Sequence, residues 1–239
     1  MPLKTRKTMI LANAYADIKR SLELWCGYPI LAEAMRAFED LQVYVAGGVV
    51  RNALMGNSAV PKDFDFFLQG TNVKDAIDYL GLNGRLQATP YGSPRWYPAI
   101  HEKTYADLIP VADFSPGLWA CEDIVDVLGQ FDFTANAVAF DLRTGEAFDP
   151  QNGARDAARR VMKMVRFDYP EGPYAPSATL NRNVVLWFRI IHYTSSLKLA
   201  LEPLTREWLW ARRDYKTQLD DFASLFFRPD LSALETMHD

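Results

Sequence analysis

Apolar residues recur every three to four positions across residues 8–25 and again across 29–40, so both stretches are expected to be helices, with Pro29 in the first turn of the second. The pattern then shortens. Residues 42–46 (QVYVA) are β-branched and aromatic and predict a strand. Gly47 and Gly48 break it, and VVRNALMG reads as a short helix ended by Gly56. DFDFFL, residues 63–68, alternates polar and apolar positions, which predicts a second strand. Asn72 can cap a helix running to about Leu80. Residues 86–100, rich in Pro, Gly and Tyr, are expected to be irregular, and TYADLIPV, 104–111, to be a strand. Residues 133–149 predict a strand or short helix, a Thr-Gly turn and another strand. Residues 155–165 predict a helix. DYPEGPYAPS, 168–177, holds three prolines and a glycine and is the best linker. Beyond it, 179–226 is helical in pattern and rich in Trp and Arg. The expected fold class is α+β. An α/β head over 1–166, opened by the helices of 1–40, is followed by a linker (167–178) and a small helical domain (179–239).

Composition narrows the chemistry. The chain has 239 residues, 49 % of them hydrophobic, enough for a full core. A net charge of −4 gives no overall basic field, so a polyanionic partner needs a local patch. Cys26 and Cys121 are far apart in sequence and read as reduced thiols. His101, His192 and His238 are not at metal-ligand spacing. The sequence shows no signal peptide, no apolar run near membrane length, no repeat and no low-complexity tract. A cytoplasmic protein with no membrane association is expected.

The strand with two acids carries the sharpest chemistry. Asp63 and Asp65 share one face of an extended strand, about 7 Å apart, while Phe64 and Phe66 point the other way into the core. Such a pair repels unless a cation lies nearby, and oxygen-only ligands suit Mg²⁺ or Mn²⁺. Two such ions can clamp the attacking and leaving oxygens of a phosphoryl displacement. Asp107, a charge within an apolar strand, is placed to supply a third carboxylate. Gly47 and Gly48 let backbone N–H groups approach a phosphate, the following helix adds a favourable dipole, and Arg51 can contact a triphosphate. An isolated Asp-x-Asp is often only a solvated strand edge or an Asx turn. Strand, Gly-Gly, helix with Arg, then Asp-x-Asp on the next strand is a much rarer combination.

These residues resemble a known family. AGGVVRNALMG…PKDFDFF is similar to the head motif GGxVRDxLLG…DxD of the class II tRNA nucleotidyltransferases and bacterial poly(A) polymerases. FDFTANAVAFD, 131–141, resembles the family's RRDFTINA segment. FDPQNGARDAARRVMKMV, 148–165, resembles its DPxxGxxDLxxxxxRxV segment, and LWFRIIHYTSSLKLALEPLT, 186–205, more weakly, the helix that opens its neck. The ordered blocks cover about residues 40–205. The resemblance implies a polymerase-β-like nucleotidyltransferase head with Asp63 and Asp65 as metal ligands. It implies a nucleotide site of Gly47, Gly48, Arg51, Asn52, Lys62 and Asn136. Asp132 matches another functional acid of the family and competes with Asp107 for the role of third carboxylate. Asp149, Gly153 and Asp156 match the third block, and there a turn and helix cap closing the head is the simpler reading.

Departures from the family pattern bear on function. Gln130 and Phe131 stand where the family has Arg-Arg, which is expected to weaken triphosphate binding or alter the substrate held. Asn52 replaces the acid of VRD. In the register set by Arg189, Thr179, Leu180 and Asn183 stand where the family's base-selecting Glu-Asp-x-x-Arg would be. Family members also carry body and tail domains that grip tRNA, so a truncated form with a smaller acceptor or a partner is expected. Arg155, Arg159, Arg160 and Arg189 are candidate RNA contacts. The Arg206–Arg213 group, with Trp208 and Trp210 interleaved, reads as an RNA surface or as a solvated face with its tryptophans in the core. The acidic stretch 121–129 is expected to be a capped surface helix. The expected activity is metal-dependent transfer of a nucleoside monophosphate from an NTP, with ATP expected, to an RNA 3′ end such as that of tRNA. Transfer to a protein or small-molecule acceptor, or a degenerate head that only binds nucleotide or RNA, are the rivals. Nothing in the sequence fixes the oligomeric state.

Overall fold

A computed structural model describes residues 3–57, 61–90, 92–98, 103–114, 118–175 and 179–236. The chain opens with α1 (Leu3–Glu23) and α2 (Tyr28–Ala37), the latter with Pro29 in its first turn. Then follow β1 (Gln42–Ala46), α3 (Gly48–Leu54), β2 (Asp63–Gln69) and α4 (Val73–Leu82). Next come β3 (Arg85–Ala88), β4 (Pro94–Tyr97), β5 (Tyr105–Pro110) and α5 (Ile124–Leu128). The α/β part closes with β6 (Ala139–Asp141), β7 (Ala147–Phe148), α6 (Gly153–Ala158) and β8 (Val161–Met162). Last are α7 (Arg182–Ser196), β9 (Ala200–Leu201), α8 (Pro203–Ala211), α9 (Leu219–Leu225) and α10 (Ala233–Thr236).

A seven-stranded sheet runs β3-β4-β5-β2-β1-β6-β7. Neighbours are antiparallel except β2 and β5, which are parallel. Strand alternation sorts β2 into two faces. Phe64, Phe66 and Leu68 point to one side, where Val43, Val45, Trp96 and Leu108 join them beneath residues of α1, α2 and α4. On the other side Phe67, Tyr44 and Ala46 are covered by Ile124, Val127 and Leu128 of α5. The start of β2 carries Asp63 and Asp65 on this second side.

Two expectations are corrected and one is met. Residues 86–100 are not wholly irregular: β3 and β4 form a hairpin in which Trp96 is fully buried, and residues 91 and 99–100 lie outside the described residues. The strands are four residues each, too short for their alternation to stand out among Pro and Gly. The helix expected over 155–165 stops at Ala158. Arg160 adopts a left-handed φ of 55°, and Val161 and Met162 then pair in parallel with Ala200 and Leu201. The acidic stretch is, as expected, a capped surface helix: Asp123 accepts from the N–H groups of Val125 and Asp126, Val125 is exposed, and the apolar side of the helix covers the sheet.

The helical part docks on the head through a common core. Phe133, Met162 and Met164 pack with Trp187, Phe188 and Phe222. Trp208 belongs to the same cluster, so it is a core residue, and Arg212 lies over its outer face at 4.6 Å. Tyr169, within the proline-rich stretch, is buried and its hydroxyl donates to the Phe131 carbonyl. Residues 176–178 lie outside the described residues.

Candidate active site

The site forms where the chain leaves β1. Gly47 has φ +75°, and a Cβ there would stand 2.4 Å from Oδ2 of Asp65. Only glycine permits both this backbone and so close an approach to the carboxylate. The Gly47 N–H donates to the carbonyl of Asn136 at 3.3 Å, tying the turn to the 131–138 segment. Gly48 opens α3, with Arg51 on its first turn.

The acids line up across the strands. Asp65 is in register with Asp107 on β5, and Asp63 with Tyr105, whose hydroxyl donates to Asp63 Oδ2 at 3.2 Å. Burial, then the charges of Asp63 and Asp107, push the Asp65 carboxyl up to about 7, with Arg189 opposing and Asp132 adding to the rise. Burial and the same Asp63 push the Tyr105 phenol up to about 12. Asp107 is held by Arg95 of β4 through two bonds of 2.8 and 3.1 Å.

Asp132 sits on the other flank. Its Oδ2 accepts from Arg189 Nη2 at 2.6 Å and Nε at 3.0 Å, and its Oδ1 accepts from the Asn136 amide at 2.9 Å. Asn136 in turn accepts from Arg51 Nη1 at 3.0 Å. Asn52 accepts from Arg51 Nε and Nη2 at 3.2 and 3.0 Å. Arg51 is 9 % exposed, and the Tyr193 ring lies 4.9 Å from its guanidinium and 5.2 Å from that of Arg189. Burial pulls Arg51 below its ordinary basicity. Its hydrogen-bonding partners are neutral, so the buried cation is poised for an anion.

The expected site residues therefore divide. Asp63, Asp65, Asp107, Asp132, Gly47, Gly48, Arg51, Asn52 and Asn136 are brought together, and Lys62 is exposed beside Asp63, its carbonyl accepting from Tyr105 N–H. Arg189, expected as an RNA contact, is instead bound to Asp132. Arg155, Arg159 and Arg160 are exposed around the end of α6, and no hydrogen bond or ion pair among the described residues joins them to the carboxylates. Gln130 and Phe131 are engaged within the protein. The Gln130 side chain is bonded to the Trp119 carbonyl and Cys121 sulfur, and Phe131 packs on Phe67 and Phe114. Asp149 accepts from Gly153 N–H at 2.6 Å, closing the turn into α6, and Asp156 accepts from Thr134 at 2.8 Å, bracing α6 against the 131–138 segment. Arg95, Tyr105 and Tyr193 were not anticipated. Arg95 lies in the hairpin read as loop, and Tyr193 is a single aromatic on a helix, with no motif to mark it.

Among the described residues no three carboxylate, thiol or imidazole groups converge closely enough to enclose an ion by themselves. The open pair Asp63–Asp65 fits a cation that takes its remaining ligands from phosphate and water, the usual habit of Mg²⁺. Among the described residues no helix is long and apolar enough to cross a membrane.

No protein-family model matches the chain. It is 30 % identical over 141 residues to the multifunctional CCA protein of Haemophilus ducreyi, and 32 % identical over 155 residues to that of Xanthomonas oryzae pv. oryzae. Each match covers 56 % of this chain and 32 % of the relative, so the chain spans about a third of the length of these relatives. Among solved structures it is similar to a CCA-adding enzyme in complex with ATP (TM-score 0.62, 19 % identity, 87 % of this chain and 49 % of that one). It is also similar to a tRNA nucleotidyltransferase complexed with a primer tRNA and an incoming ATP analogue (TM-score 0.60, 19 % identity, 81 % and 54 %). The chain is thus similar in sequence to the multifunctional CCA proteins over 56 % of its length and has the α+β head fold of the CCA-adding tRNA nucleotidyltransferases.

Proposed function

We propose that the chain transfers a nucleoside monophosphate from an NTP, with ATP the expected substrate, to an RNA 3′ end such as that of tRNA. One observation carries the reading: the left-handed Gly47 turn rests on the Asp65 carboxylate, with Asp63 and Asp107 beside it and the buried cation of Arg51 on the next turn. The turn and Arg51 receive the triphosphate, and Asn52 and Asn136 fix the guanidinium so that it does not reorganise when the phosphate arrives. Asp63 and Asp65 would hold Mg²⁺ or Mn²⁺, which would supply neutralisation of phosphate charge and orientation of the reacting oxygens. Asp107, in register with Asp65, is the better-placed third carboxylate, although Arg95 holds it as Arg189 holds Asp132. In the reaction the acceptor oxygen bonds to the α-phosphorus, the bond to the bridging oxygen breaks, pyrophosphate leaves and the hydroxyl proton passes to water. The sequence relatives, named multifunctional CCA proteins, and the neighbour holding a primer tRNA support this class of acceptor.

The test is incorporation of each labelled NTP into total RNA by the full chain. Wild type should label RNA ends in the presence of Mg²⁺, and the variant Asp63→Ala with Asp65→Ala should not. Undiminished labelling by that variant removes the site. A second reading, nucleotide or RNA binding without transfer, is favoured by one feature: Asp107 and Asp132 each carry an arginine partner. Mg²⁺-dependent release of pyrophosphate by wild type excludes it.

A further inference from the structure

We infer that the outer hairpin of the sheet is a platform for single-stranded RNA, along which an acceptor's last nucleotides lie as its 3′ hydroxyl reaches the carboxylates. The inference rests on the proposed transfer reaction and names the path of its acceptor. It starts from alternation: Trp96 fills the core, so Arg95 and Tyr97 project to the side of Asp107. Register extends the row outwards, since Tyr105 lies beside Asp63, Arg95 beside Asp107, and Arg85 of β3 beside Tyr97.

These side chains interleave. The Arg95 guanidinium lies 3.8 Å above the Tyr105 ring and that of Arg85 4.1 Å above Tyr97, with the two tyrosine rings 5.4 Å apart. The two arginines are not equivalent. Arg95 is bound at both ends of its fork by Asp107, which fixes its plane. Arg85 is exposed and held by the Tyr97 ring and the Gln87 side chain, both neutral, which leaves its charge for a phosphate. Alternating rings and guanidinium planes beside a cation are what unpaired bases and their phosphates require. Three interstrand steps of about 4.8 Å separate β2 from β3. That is room for roughly four bases at a stacking rise of about 3.4 Å. The platform is continuous with the carboxylate row, so a strand lying on it arrives with its end at the Gly47 turn. Because the chain is acidic overall, a local patch of this kind has to supply the attraction.

Tyr97→Ala, Arg85→Ala and the conservative Tyr97→Phe in the full chain test the inference. Anisotropy of a fluorescein-labelled single-stranded RNA about ten nucleotides long reads binding. Steady-state incorporation reads KM for RNA and for NTP separately. Tyr97→Ala and Arg85→Ala should each weaken RNA binding and raise its KM about tenfold, the loss of one stacked base, with the NTP KM unmoved. Tyr97→Phe, which keeps the ring, should bind as wild type, so a merely misfolded Tyr97→Ala is recognised. Wild-type RNA affinity and KM in both alanine variants overturn the platform while leaving the transfer reaction standing. RNA binding that is lost with Tyr97→Ala in a protein that transfers no nucleotide overturns the reaction while leaving the platform standing.

Discussion

Asp65 concentrates the physical tension of the site. Asp63 and Asp107 flank it on the sheet face, and Gly47 passes so close that a Cβ there would stand 2.4 Å from its Oδ2. With the carboxyl raised to about 7 in the folded chain, the native state binds a proton at pH values where the unfolded chain has already released it. Stability from this group is therefore greatest below about pH 4, declines as pH rises towards 7, and stays diminished above. Asp65→Asn removes the penalty. In EDTA at pH 8 the variant should melt above wild type, by about 2–4 °C for each kcal/mol of repulsion relieved, and the two should converge near pH 4. Added Mg²⁺ should raise the wild-type melting temperature at pH 8 and leave the variant unmoved. Identical melting of the two proteins in EDTA at pH 8 would show that no such repulsion exists.

At the scale of elements, an ion pair joins α7 to the head beside their shared apolar core. Arg189, on the side of α7 facing the 131–138 segment, forks onto Asp132, with both side chains largely shielded from water. Burial alone would lower the Arg189 basicity, but Asp132 beside it lifts it above the ordinary value. Removing one partner strands a charge: Arg189→Met should cost about 3–5 kcal/mol, and pairing it with Asp132→Asn should recover part of that loss. Urea titrations of the two single variants and the double variant measure the coupling, and additive costs would deny it. β2, which carries Asp63 and Asp65, and β1 before it were legible in sequence because alternation and a Gly-Gly break are local signals. The resemblance to tRNA nucleotidyltransferases located the 131–138 segment for the same reason. The β3–β4 hairpin was not legible: Trp96 is drawn inward by a sheet assembled from distant strands, and its short flanks look like loop. The end of α6 was missed likewise, since the pairing of Val161 and Met162 with Ala200 and Leu201 is a long-range event that overrides local helix preference. The role of Arg189 escaped because an arginine on an amphipathic helix reads as surface until its partner is known.

At the scale of the whole molecule, the division drawn near residue 166 cuts a shared core. Phe133, Met162 and Met164 come from the α/β part, yet their apolar neighbours are Trp187, Phe188, Leu209 and Phe222 of the helical part. The connecting stretch is fastened too, through the buried Tyr169. Neither part can lose its structure without exposing apolar surface of the other, so unfolding should be cooperative across the chain. Scanning calorimetry should show one transition, with an enthalpy of about 170 kcal/mol near 60 °C for 239 residues. Phe133→Ala, which opens a cavity at the junction, should cost about 3–5 kcal/mol. It should lower that single transition as a whole, with tryptophan fluorescence and far-ultraviolet dichroism moving together. Two resolved transitions in wild type, or loss of the helical signal alone in Phe133→Ala, would mean the two parts fold independently. The Arg189–Asp132 contact would then be a docking bond and not a bond within one core.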